Sequence, residues 1–127
     1  MTYQNHIFQA QNAIYKTIKE KTIHANPVLN RGNVVSYPYT IITSTKKTIL
    51  ENLQIGVVCE IEVQSQSTSV LPASNILQEI EESLTYANVR DNLNFYTLHL
   101  CEVKSSTVFV NEEGYLCGKL CVNVVME

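Results

Sequence analysis

The chemistry open to this 127-residue chain rests on four cysteines, three histidines and twelve acidic residues, and their spacing restricts it. Cys117 and Cys121 form a C-x3-C pair. On a helix they would share a face, but the surrounding run YLCGKLCVNVVM is β-rich, and four strand positions span about 13 Å. That is too far for two sulfurs each about 2.3 Å from one zinc ion. Both read as small buried hydrophobes. His99 and Cys101 fall on one strand face, and the single Asp, Asp91, precedes them in a turn. A nucleophile and its base must come within about 3 Å, whereas same-face strand neighbours are about 6.6 Å apart at Cα. A histidine at a sheet surface beside a buried thiol is the better reading. His6 and His24 flank the first helix and read as solvent-facing.

Glu60 and Glu62 share one face of a predicted strand, and Glu79, Glu81 and Glu82 the outer side of a predicted helix. Paired acids can hydrolyse glycosides, but the chain has no Trp to form a sugar platform, and charge runs of this kind are solvated faces. The sequence holds no Gly-rich phosphate loop, no G-x-S-x-G and no H-E-x-x-H. The expectation is a protein that is not an enzyme, with no catalytic residues, no cofactor and no metal.

The elements that position these residues come from composition and periodicity. One domain spanning residues 1–127 is long enough to bury about two thirds of its unfolded surface, and 45% hydrophobic with 17% charged residues fits a globular chain. A net charge of −3 disfavours binding to nucleic-acid phosphates. The start MTYQNHIFQAQ lacks the basic and apolar regions of a signal peptide, and no run approaches a membrane span. A cytosolic product with reduced cysteines is expected.

From Thr2, a plausible N-cap, to Lys21 the residues Ile7, Phe8, Ile14, Tyr15 and Ile18 follow helical spacing. Asn26-Pro27 through Asn33 is a loop. A strand is expected at Tyr39 to Ser44, entered through Pro38, then a polar connection from Thr45 to Asn52. Leu53 to Gln64 alternates with period two, one face apolar. After the polar loop 64–70, Pro72 opens a second amphipathic helix to Tyr86 through Ala73, Ile76, Leu77, Ile80 and Leu84. Residues 87–94 read as a polar turn. The order αββαββ predicts an α+β fold: a four-stranded, mainly antiparallel sheet, two helices on one face, and a long C-terminal β-hairpin.

That hairpin, Phe95 to Met126, turns at Asn111-Glu112-Glu113-Gly114 with Gly114 in the left-handed position. Pairing Asn111 with Tyr115 puts Val108 and Val110 on the face of Leu116, Leu120, Val122 and Val124, but it also puts Glu102 and Lys104 there. A β-bulge near Ser105-Ser106 would relieve the conflict by switching faces. The tip, Val108, Phe109, Val110, Tyr115, Leu116 and Cys117, is apolar on both faces, and so predicts a contact between subunits.

The amphipathic first helix, the strand entry Tyr37-Pro38-Tyr39-Thr40-Ile41-Ile42, the alternating strand Val57 to Gln64, the helix Ala73 to Leu84, and the hairpin with its acidic turn Asn111 to Gly114 together span nearly the whole sequence. In this layout the chain resembles the tail-completion or tail-terminator proteins of long-tailed bacteriophages and prophages, the neck-terminator group included. The resemblance implies a structural virion protein of the tail or neck, present in the host cytoplasm during assembly. It would form a homo-oligomeric ring, commonly a hexamer, that caps the tail tube, stops its polymerisation and joins tail to head. Its partners would be itself, the tail tube protein and the head–tail connector protein, with DNA passing through without specific binding and with no membrane. The alternative is a small cytosolic α+β homodimer that binds a ligand or regulates a partner through a two-fold contact at the tip.

Overall fold

The computed structural model describes residues 6–29, 32 and 36–127. The expected N-cap Thr2 and the loop residues Arg31 and Asn33 lie outside them. The described elements are helix α1 (His6–Lys21), strand β1 (Pro27–Val28), β2 (Tyr39–Ile49), β3 (Ile55–Gln64), helices α2 (Leu71–Ser83) and α3 (Tyr86–Asn92), β4 (Leu98–Val110) and β5 (Leu116–Met126).

The α+β class is as expected, and the detail differs in three ways. The sheet has five described strands in the order β1-β2-β3-β5-β4, and it is mixed because β1 runs parallel to β2. β1 was hidden in a loop signal. Its pairing is fixed by the Thr40 side chain donating to the Ala25 carbonyl at 2.7 Å and by the Thr40 N–H donating to Asn26 at 3.1 Å. Next, β2 does not stop at Ser44. It continues through the polar residues to Ile49, paired with β3 across a register shift between Ser44 and Lys46. The reversal is made at Glu51–Leu53, where Asn52 and Leu53 take left-handed φ values of 58° and 65°. Last, residues 87–94 are not all turn. Thr85 accepts a hydrogen bond from the Asn88 N–H and starts α3, which buries Val89 and is followed by buried Leu93.

Helices α1, α2 and α3 cover one sheet face. Along β3, Ile55, Val57, Cys59, Ile61 and Val63 are buried while the alternate residues are only half-buried, and β5 repeats the pattern from Gly118 onward. Two covered faces would have buried both rows. From α2 come Ala73, Ile76, Leu77 and Ile80, as the stripe predicts, although the helix ends at Ser83 rather than Tyr86. The α1 stripe keeps the expected Ile14 and Ile18 and is completed by Ala10, Ala13 and Thr17, leaving Phe8 about half exposed at 49%. No helix among the described residues is long and apolar enough to cross a membrane.

The hairpin carries the expected turn. Asn111 N–H donates to the Tyr115 carbonyl at 2.9 Å, Gly114 N–H donates to the Asn111 carbonyl at 3.0 Å, and Gly114 has φ +88°. The expected bulge is present between Val103 and Ser105, with Lys104 as the extra residue. It turns Glu102 to the open face opposite Asn123 and lets Val103 oppose buried Val122. A second shift, between Leu98 and Leu100, displaces His99.

Candidate assembly surface

The hairpin tip divides into a part the subunit keeps and a part it shows. Val108 packs against the core, and Cys117 is fully buried, within 3.7 Å of the Gln64 side-chain oxygen and 3.5 Å of the Asn111 side-chain nitrogen. Phe109, Tyr115 and Leu116 are half-buried, and Val110 is 62% exposed. Cys117 therefore leaves the set of tip residues able to meet a partner. The shown part is Val110 with portions of Phe109, Tyr115 and Leu116.

Two neighbours hold the tip in place. The loop after β3 runs beside β5, its Ser67 carbonyl accepting from the Leu116 N–H at 2.9 Å. That loop is stiffened by alternate serines: the hydroxyls of Ser65, Ser67 and Ser69 accept from the N–H groups of Ser67, Ser69 and Leu71. On the helical side Gly118 lets Leu77 lie directly on β5, since a Cβ at residue 118 would stand 2.7 Å from Leu77 Cγ. Beside the β4 edge runs a groove of about 250 Å³, lined by Ser74, Leu77, Gln78, Glu81, Ser106, Thr107 and Val108.

Among the described residues β4 is also the last strand of its sheet. In an antiparallel ladder alternate residues point their backbone groups to opposite sides. Because Asn111 bonds inward to Tyr115, residues 109, 107 and 105 bond inward too, and Val110, Val108 and Ser106 present N–H and C=O outward. From Ser105 to Val110 this edge is uncharged and free of bulges. The order of strands is not readable from the sequence, so this row of backbone groups had no signal there beyond the absence of charge.

The other candidate groups remain apart. His99 is exposed and contacts the Glu127 carboxylate at 2.8 Å, while Cys101 packs inward against the core with its thiol pushed up to about 11 by burial and by nearby Cys59. The bulge at His99 breaks the shared face expected for the pair. Asp91 pairs with Arg90 at 3.3 Å. Cys59 is buried under the helices, and burial pushes its thiol up to about 11 against a hydrogen bond with Ser44. Cys121 lies half-exposed on the open face, and all four cysteines are free. No group of three His, Cys, Asp or Glu among the described residues could hold a metal ion.

Glu60 binds Lys119 at 2.8 Å across the open face, as a solvated strand pair would. Glu79 departs from the expected outward charge. Its carboxylate accepts from the Ile23 and His24 N–H groups at 2.9 Å each and meets His24 Nδ1 at 3.1 Å. Burial alone would raise its pKa, but the His24 and Ile23 bonds outweigh it and hold the carboxyl below the usual range. His24 is exposed as expected. His6 is not, for it packs on the Tyr96 ring at 4.9 Å with Nδ1 buried and unbonded, and burial and then Lys47 lower its pKa.

Searches against protein-family models and against curated proteins find no match to this chain.

Proposed function

We propose that the chain is a structural subunit of a bacteriophage tail, forming a ring, commonly a hexamer, that closes the end of the tail tube and joins it to the head. The observation that carries this reading is the hairpin tip, where Val110 is 62% exposed beside half-buried Phe109, Tyr115 and Leu116 although the core beneath is complete. Each such side chain contributes about 1.5–3 kcal/mol when fully buried, so covering the tip against a neighbour would drive assembly. The helix and hairpin layout that carries the resemblance, with its acidic Gly turn, supports the same reading. The activity is binding: to copies of itself, to the tube protein, and to the connector. A net charge of −3 suits a passage that DNA crosses without adhering. The place of action would be the neck of the virion, reached from the host cytoplasm during assembly.

The test is to add purified chain to the tube protein encoded beside it while that protein polymerises. Tubes of limited length ending in a ring by electron microscopy are expected. Tubes that keep growing with bare ends would overturn the reading.

The second reading, a homodimeric ligand-binding module, is favoured by one observation: a cleft of about 480 Å³ lined by His24, Pro38, Pro72, Asn75, Ile76 and Glu79. Its size is that of small-molecule sites. A ligand held there would shift the NMR signals of His24 and Asn75 at micromolar concentration.

A further inference from the structure

The tip accounts for apolar side chains, but not for the open backbone row of β4. An exposed, uncharged, regular strand edge is a template for another strand. The register available to it points to a specific occupant. With the outward groups on Ser106, Val108 and Val110, the antiparallel arrangement that uses all three places Ser106 opposite Val110 of a second copy, Val108 opposite itself, and Val110 opposite Ser106. Each of these pairs exchanges two N–H···O bonds. On the open face the same register sets Thr107 against Phe109 of the second copy, a favourable cross-strand pair. Two residues beyond the Ser106–Val110 pair, it brings Lys104 to Glu112 at the other copy's acidic turn. Glu112 and Glu113 are exposed and form no ion pair among the described residues, while Lys104 holds only its neighbour Glu102, at 2.8 Å. The bulge at Lys104 ends the paired segment at one side and the turn ends it at the other.

We propose that the free chain dimerises about a two-fold axis through antiparallel pairing of its β4 edges over Ser106–Val110, joining the sheets of two copies into one. The contact is isologous and closes on itself, so it stops at two copies rather than growing into fibres. A second copy is the occupant the edge fits, because the stretch complements itself in hydrogen bonding, in apolar pairing and in charge. The inference concerns the free chain and does not rest on the tail reading: capping is read on tubes and this dimer is read as mass.

Sedimentation of the wild-type chain is expected to give twice its 14.3 kDa mass. A monomer at tens of micromolar, or a six-fold mass, would overturn the proposal. Ser106→Pro removes an outward N–H and no inward one, so the fold is expected to persist by circular dichroism while the mass halves; a folded variant that stays dimeric would overturn it. Register is checked separately, which covers a proline variant that fails to fold. Under mild oxidation Val108→Cys is expected to form a covalent dimer on a non-reducing gel, with neither wild type nor Ser106→Cys doing so. Absence of the Val108→Cys cross-link, or equal cross-linking of Ser106→Cys, would overturn the two-fold register.

Discussion

Gly118 is the residue on which the hairpin's seat depends. It opposes Val108 on one side and Val63 on the other, and Leu77 of α2 occupies the space where its side chain would be. The 2.7 Å approach involves Leu77 Cγ as well as a methyl, so rotating a terminal group does not clear it. Gly118→Ala is expected to destabilise the fold by about 1–3 kcal/mol, the usual cost of overpacking, as measured by urea denaturation. The penalty should shrink in a Gly118→Ala, Leu77→Ala double variant, because the clash is then removed. In the sequence Gly118 is one small residue in a β-rich run, and nothing marks it as the contact that lets a helix lie on the sheet.

Among elements, the ones built on period were legible and the ones built on polar residues were not. The alternation of Ile55 to Gln64 and the stripe Ala73, Ile76, Leu77, Ile80 reappear as buried rows because burial alone sets them. The bulge was readable too, since Glu102 and Lys104 could not share a face with Val108. By contrast, β2 from Lys46 to Ile49 and helix α3 use Thr, Lys, Asn and Asp. There pairing to β3 and the Thr85 cap outweigh weak local propensity. The candidate surface was half legible: its apolar side chains were named, while the open backbone edge depends on strand order. Glu79 shows the same limit, reading as a solvated acid yet tying α2 to the end of α1. Its depressed folded pKa means that the stability it contributes is present above the ordinary carboxyl value and is lost as pH falls through the lower, folded one. Stability measured from pH 6 to pH 3 is expected to fall less steeply for Glu79→Gln than for wild type. Identical slopes would show that Glu79 is not linked to folding.

At the scale of the molecule, the core and the proposed assembly surface are separable. Phe109 and Leu116 are half-buried at the tip, whereas Leu120 and Val122 below them are fully enclosed. Phe109→Asp or Leu116→Asp is expected to weaken self-association at least tenfold, with the unfolding midpoint falling less than for Leu120→Ala, which empties the core at a cost of about 2–5 kcal/mol. Equal loss of both properties would make the tip ordinary core. Val110 belongs both to the proposed two-fold edge and to the exposed tip, so ring formation on a tube would begin from separated copies. Capping should therefore rise less than in proportion to chain concentration above that needed for the dimer.

The distribution of three of the four thiols gives the protein its own clock for partial opening. Cys121 sits half-exposed on the open face, Cys117 is enclosed between Gln64 and Asn111, and Cys59 lies under the helices. Alkylation should then proceed in that order, the first in the native state, the second when the hairpin lifts from its loop, the third only on global unfolding. Mass spectrometry of the modified peptides would thus time the loosening of each layer without any engineered probe.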